Sequence, residues 1–450
     1  MWRAARMSKG RAMIANVRVM KGRVIAALRS RRGGSGGLIR GTAYMASAEM
    51  GNRLSRIITA IVLARALTTV EFGMMALILT TYEFVRMLIH NGLGARIVQA
   101  GEDEFDEVCG AVNRLNWIVG ALMCVIQISV AWPVQVWFDA DVAPMLILLG
   151  IVHLIYPLGM VHACIMQREQ RFGFSAGMLF FQITMDNIGT AAMAYAGYGI
   201  WAAVVPKVVI AIAWVAVTRM RVTGWRRVPV TSAKMRDVIN YGRCVLASES
   251  LNTFRLNADK LIVGKTLGLQ AFGIYSFGSN TGSGIATGLA TALGQAVLPF
   301  LSDGREQSDL RARFRLSIAA MSFVIMPIVM LQVALAPWYV PIVFGEKWAP
   351  AIPTLMLMCL GTLSRPLIVA TSQLLRATGA VGLEWRISQI NAILFVVAII
   401  GGIPFGVEGV AACLSAVNIL PAIIFARVAL SSVAEDKQRA PTRAFAEAGA

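Results

Sequence analysis

The stretch LARALTTVEFG (63–73) recurs 200 positions later as VGKTLGLQAFG (263–273). In each copy an apolar run reaches a basic residue, Arg65 or Lys265, crosses a short break and restarts at Phe-Gly. The register extends without a gap: Glu49 falls on Glu249, Leu67 on Leu267, Thr81 on Thr281, Leu93 on Leu293 and Gly94 on Gly294. A constant offset over two whole apolar segments marks an internal repeat, because short likenesses between Leu- and Gly-rich helices do not hold one register that long. The offset carries the first two expected spans onto the seventh and eighth, so six helices repeat as six helices.

Composition sets the solvent. With 57% hydrophobic and 15% charged residues, the chain has more apolar surface than one aqueous core can hide. At about 20 apolar residues per crossing, 450 residues hold roughly twelve spans. Apolar runs place them near 42–67, 72–94, 110–131, 143–165, 173–196, 200–219, 238–266, 272–296, 314–336, 350–374, 385–403 and 407–430. The expected organisation is an all-α membrane protein. It has a basic tail (1–37), a six-helix lobe (38–219), a basic linker (220–237), a second six-helix lobe (238–430) and a C-terminal tail (431–450).

The net charge of +18 sits in tails and loops between apolar runs, which fits membrane topology better than nucleic-acid binding. Alternate loops hold Arg96 and Arg114; Arg168 and Arg171; Arg219, Arg221, Arg226, Arg227, Lys234 and Arg236; Arg305, Arg311, Arg313 and Arg315; Arg376 and Arg386. The opposite loops hold only Lys265 and Lys347. The positive-inside rule then puts both termini in the cytoplasm, and both halves start from the same side, as in a parallel repeat. Trp132, Trp137, Trp201, Trp338 and Trp348 fall at outer span ends, where the headgroup layer favours such rings. In the tail, Met13, Val17, Met20, Val24 and Leu28 share a helical face opposite Arg11, Arg18 and Arg29, as in an interfacial helix. A disordered basic tail, sequence added by a misplaced start, or a transit peptide are the other readings of this segment. The six cysteines lack metal-site or disulfide spacing.

LARALTTVEFG (63–73), NGLGARIVQ (91–99), NYG (240–242), NADKLIVGKTLGLQAFGIYS (257–276) and LGQAVLPFLS (293–302) resemble the polysaccharide-transporter oligosaccharide flippases of the MOP superfamily. The resemblance runs from residue 42 to about 430. It implies a MATE-like bundle of two pseudo-symmetric six-helix lobes around a central cavity. By alternating access that cavity would pass an undecaprenyl-pyrophosphate-linked oligosaccharide across a bacterial inner membrane, for exopolysaccharide or lipopolysaccharide synthesis. Membrane lipid is an implied partner, as are glycan polymerase and chain-length machinery. No cofactor is implied.

Counted from the outer span ends, Arg53, Arg86, Arg255 and Arg365 lie about 12 to 15 residues deep, near 20 Å at 1.5 Å per residue. With Arg56 and Lys260 they exceed the embedded acids. Buried charge needs a wet cavity or a partner, and guanidinium meets phosphate in bidentate fashion, so these cations are candidates for gripping a pyrophosphate. A web of lobe-stabilising salt bridges is the other reading, in line with Glu49 one turn from Arg53. Glu83 and Arg56 share a depth at which they could pair. Asp186 and Lys207 are within plausible reach, as a structural pair or as an ion-coupling site. Asp259 is a candidate for a cation or for Arg255 one turn away, and Glu249 completes the set of cavity carboxylates.

Gly264-Lys265-Thr266 lacks the upstream glycine of a phosphate-binding loop, so no nucleotide site is expected. His90, His153 and His162 form no metal-spaced cluster, and no nucleophile stands beside a base, so catalysis is not expected. A cation-coupled drug exporter of the same superfamily would favour embedded carboxylates and aromatics over arginine. A membrane glycan polymerase or ligase would carry a long polar outer loop, and the outer loops here are short.

Overall fold

A computed structural model describes residues 51–447 apart from 54, 87–93, 170, 223–224, 227 and 303–306. At 95, 172, 241–256, 307–309, 381 and 432–447 it describes the backbone alone. Every regular element among the described residues is helical. In order they are α1 (51–53 and 55–66), α2 (Thr69–Arg86), α3 (Gly94–Gln99), α4 (Phe105–Phe138), α5 (Ala143–Ile155), α6 (Pro157–Arg168) and α7 (Phe172–Tyr195). There follow α8 (Val205–Arg221), α9 (Ser232–Ser302), α10 (Gln307–Tyr339), α11 (Ile352–Gly361), α12 (Arg365–Ala377), α13 (Val381–Gly402) and α14 (Gly406–Glu447).

Six described stretches are long and apolar enough to cross a bilayer: Phe105–Phe138, Gly199–Arg221, Asn257–Ser302, Leu310–Phe344, Glu346–Ala377 and Gly382–Ser431. The pair α5 and α6, bent by 49°, makes a seventh. Two of the six, of 46 and 50 residues, are far longer than the roughly 20 a crossing needs, and both are hairpins. The first folds at Gly268, whose φ of 85° is open to glycine, and brings the Tyr275 hydroxyl back to Asp259. The second folds at Gly406, with a φ of 71°. Helices α1, α2 and α7 carry polar groups mid-helix, and they line the polar layer described below. With both limbs of α9 and the broken helices α5–α6 and α11–α12 each taken as a crossing, the described residues supply about twelve.

The breaks follow proline. Pro157 opens α6 directly after the bend, and Pro366 stands at the start of α12 behind a short 3-10 turn, Thr362–Ser364. A proline ring removes one helical hydrogen bond and clashes with the preceding turn, so the expected straight spans 143–165 and 350–374 are each two helices. The expected span 72–94 is helical to Arg86, and a separate helix starts at Gly94. Helix α14 continues to Glu447, through the segment expected as a tail. The basic tail and its interfacial face lie outside the described residues.

The repeat is realised in three dimensions. A Cβ on Gly73 would lie 2.1 Å from the Leu269 carbonyl oxygen, and one on Gly273 would lie 2.1 Å from that of Thr69. Both relations are the same contact shifted by the offset, so α2 and the second limb of α9 meet about a pseudo-twofold axis at their N-terminal ends. At the level of elements, Gly94 against Cys164 of α6 is matched by Gly294 against Val369 of α12, with the partner shifted by 205 positions and not 200. The largest core cluster runs through both lobes and includes Leu67, Phe72 and Leu77 with Phe272, Phe277 and Leu355. Around it, Ile118, Leu122, Val125 and Ile128 leave an exposed apolar stripe along α4, the face a helix turns toward lipid.

Candidate functional site

The polar layer starts on α1. Asn187 of α7 donates through Nδ2 to Ser55 Oγ at 2.8 Å, and Thr184 donates to Asn52 Oδ1 at 3.2 Å. The hydroxyl of Thr59 lies 3.0 Å from the Asn187 carbonyl. These bonds fasten α7 to α1 and fix the azimuth of Arg53 between them. Its Nη2 reaches into the other lobe and donates to the Gly288 carbonyl, on the second limb of α9, at 3.3 Å. A Cβ at 288 would lie 2.3 Å from Arg53 Nη1, so the guanidinium rests on bare backbone.

Helix register puts two further arginines near that level. On the second limb of α9, Gly282 touches Met358 and Cys359 while Gly294 touches Val369, so Gly288 is level with the start of α12 at Arg365. Arg365 is half-buried there. Arg86 corresponds through the repeat to position 286. It donates to Glu83 Oε2 at 3.2 Å and lies within electrostatic reach of Tyr82 and Tyr156. Behind it, Tyr82 stacks on the buried His153 at 5.1 Å between ring centroids, and Gln182 Nε2 donates to the Tyr156 hydroxyl at 3.0 Å.

Several expected pairings are different in the structure. Glu83 takes Arg86, one turn along its own helix, and not Arg56, which is exposed beside Ile57 and Ile58. Equal depth does not supply the azimuth a contact needs. Asp186 does meet Lys207, at 2.5 Å. Asp259 is buried and accepts from the Tyr275 hydroxyl at 2.6 Å across the α9 hairpin. Lys260 donates to Asn257 Oδ1 at 3.1 Å. Glu49 and the side chains of Glu249 and Arg255 lie outside the described residues.

A seal that sequence reading missed closes the end away from the basic loops. Phe277 stacks on Trp348 at 4.2 Å, and Phe72 and Phe344 pack edge-on at 5.0 Å from Trp348 and 4.9 Å from Phe277. Trp348 is fully buried and donates to the Ala64 carbonyl at 2.8 Å, so it belongs to the plug and not to the headgroup belt. Trp132, Trp137 and Trp338 are exposed, as that belt requires. The two basic residues of the opening repeat clamp the plug crosswise. Arg65 donates to the Ile342 and Val343 carbonyls of the second lobe at 2.6 and 2.8 Å, and Lys265 to the Trp137 carbonyl of the first at 2.7 Å. Lys347 adds bonds to the Arg65 and Leu67 carbonyls at 2.9 and 2.6 Å.

At the opposite, basic end, ion pairs staple α3 and the start of α4 to the first turns of α9. Arg96 binds Glu104 at 3.1 Å and Asp237 at 3.0 Å, and Lys234 also meets Glu104. The Lys234 ammonium, with the Gly101 amide and Arg96, holds the Glu104 carboxyl down at about 2. Among the described residues no three His, Cys, Asp or Glu side chains converge as a metal site would need.

A family model described as polysaccharide biosynthesis protein matches residues 62–353. The chain is 24% identical to lipopolysaccharide biosynthesis protein WzxC of Escherichia coli K12, over 81% of this chain and 75% of that one. It is 23% identical to teichuronic acid biosynthesis protein TuaB of Bacillus subtilis 168, over 75% and 71%. Among solved structures it superposes on lipid II flippase MurJ in an inward closed conformation with a TM-score of 0.71 at 12% identity, covering 86% of this chain and 87% of that one. An inward-facing multidrug MATE transporter of the MOP superfamily gives 0.59 at 15%, over 85% and 95%. These two likenesses establish the fold.

Proposed function

Since this chain belongs to the polysaccharide biosynthesis protein family of membrane proteins, we propose that it is a flippase for lipid-linked oligosaccharide, with its termini in the cytoplasm of a bacterial inner membrane. The observation that carries the reading is the mid-depth arginine layer, with Arg53 crossing from one lobe to the backbone of the other beneath a sealed outer end. An undecaprenyl pyrophosphate enters from the basic end, and its lipid tail stays in the bilayer. Its phosphates exchange the weak Arg53 to Gly288 contact for charge-assisted hydrogen bonds, with Arg86 and Arg365 on the flanking helices. That exchange removes a tie between the lobes where the substrate binds, so loading favours the arrangement in which the outer plug parts. The glycan passes between the lobes, and polymerase and chain-length machinery take it up on the far side. The protein moves its substrate without making or breaking a bond in it.

An exporter of organic cations needs a carboxylate free to meet its cargo. Each described mid-depth carboxylate has a partner already: Glu83 has Arg86, Asp186 has Lys207 and Asp259 has Tyr275. The test is polymer production by strains carrying Arg53→Ala, Arg86→Ala, Arg255→Ala or Arg365→Ala. Loss of polymer with the protein still in the membrane is expected, and wild-type polymer from all four would overturn the phosphate grip.

A further inference from the structure

Away from the central layer, α4, α6, α8 and the linker enclose a cavity of about 470 Å³ in the first lobe, at its basic end. Asn113, Arg114 and Trp117 reach it from one face of α4, His162 from α6, Arg219 from the last turn of α8 and Trp225 from the linker. The linker is held in place as a wall. The Arg226 amide donates to Asp106 at 3.1 Å, the Thr231 amide to Glu107 at 3.0 Å, and Val230 packs so closely on α4 that a Cβ at Gly110 would lie 2.9 Å from it. No acidic side chain lines the cavity, and neither Arg114 nor Arg219 has an ion-pair partner among the described residues. His162 is 8% exposed, packs against Trp225 at 5.5 Å, and leaves Nδ1 without a hydrogen-bond partner among the described residues.

The position along α4 identifies the ligand. The exposed stripe Val125, Leu122, Ile118 runs toward the basic end, passes Trp117, which is 39% exposed, and stops at Arg114. Acyl chains cover such a stripe, and an aromatic ring followed one turn later by arginine marks where chains give way to headgroups. We propose that this cavity is a headgroup site for an anionic phospholipid, in which Arg114 and Arg219 bind the phosphodiester, His162 and Asn113 supply polar contacts, and the chains lie along α4. Basic pockets between helices on the cytoplasmic side have the charge for such headgroups. The site is independent of the transport reading, since it shares no residue with the central layer.

Native mass spectrometry of the full chain in detergent tests this, with cardiolipin, phosphatidylglycerol, phosphatidylcholine and undecaprenyl pyrophosphate titrated separately. The wild type should hold the two anionic phospholipids over phosphatidylcholine. Arg114→Gln with Arg219→Gln should weaken them by about tenfold, and Arg219→Gln alone by about threefold should the pair not purify. Arg311→Gln with Arg315→Gln, at another basic surface, should change neither. Unchanged retention in the cavity variants, an equal loss in the control pair, or a loss confined to undecaprenyl pyrophosphate would each overturn the proposal, the last by making the cavity an entry site for transported lipid.

Discussion

Arg53 reaches the opposite lobe because position 288 has no side chain. A methyl there would meet the far end of a flexible guanidinium 2.3 Å away, not backbone, so Gly288→Ala displaces the charge and leaves the helices packed. The expected outcome is a fall in polymer production approaching that of Arg53→Ala, with membrane levels and thermal unfolding near wild type. Wild-type polymer from Gly288→Ala would show that the placement of Arg53 is immaterial. Sequence alone gives Asp186 its partner Lys207, because depth, which brings the two within reach, follows from counting residues along a span. It misassigns Glu83 and leaves Asp259 between a cation and Arg255, because azimuth and hairpin pairing depend on how helices pack. The Tyr275 partner of Asp259 lies 16 positions away on the other limb, beyond any single-helix spacing.

Among elements, the contact between α2 and the second limb of α9 is the most exacting. A Cβ on Gly73 meets a backbone oxygen at 2.1 Å, and no rotamer change relieves that, so Gly73→Ala must push the limbs apart. Ala64 is fully buried under Trp348, which makes Ala64→Cys a reporter in a cysteine-free background. An impermeant maleimide added from outside should label Ala64→Cys slowly, and much faster once Gly73→Ala or Lys347→Ala is added. Equal rates would mean that the plug is not the barrier. The repeat displayed both glycines, but it did not show that they face each other, since a twofold relation fixes correspondence and not distance. The staples at the basic end carry a pH signature. Glu104 is held at about 2 from an ordinary 4.5 by Lys234, the Gly101 amide and Arg96. A depressed carboxyl stabilises the fold fully above its unfolded value and progressively less as pH falls from about 4.5 toward 2. Thermal unfolding in detergent should therefore drop over that window, and Glu104→Gln should lower stability at pH 7 while flattening the acid slope. An unchanged slope would assign the acid sensitivity to other carboxyls.

For the whole molecule, hydropathy made the helix count legible, because it is a property of residues in lipid and water before any packing occurs, and residue identities at a constant offset made the repeat legible. The proline breaks at α5–α6 and α11–α12 could be placed only once the helix axes were known. Orientation is the remaining whole-molecule property, and it makes a prediction by side. Arg226 and Arg311 lie at the stapled basic end, exposed. Tyr198 and Phe405 are 60% and 76% exposed in the turns at the far ends of α7 and α13. The Tyr198 turn is level with the plug, since a Cβ on its neighbour Gly199 would come 3.5 Å from Glu71 at the start of α2. Gly402 is a poor reporter for that side, because a Cβ there would lie 2.6 Å from the Val410 backbone. With the native cysteines removed, Tyr198→Cys and Phe405→Cys should react with an impermeant maleimide in intact cells, and Arg226→Cys and Arg311→Cys only after the membrane is opened. The reverse pattern would invert the molecule, placing the aromatic plug on the cytoplasmic side and turning the arginine layer toward a compartment that supplies no newly made lipid-linked glycan. Transport in the proposed direction would then be excluded whatever the central arginines bind.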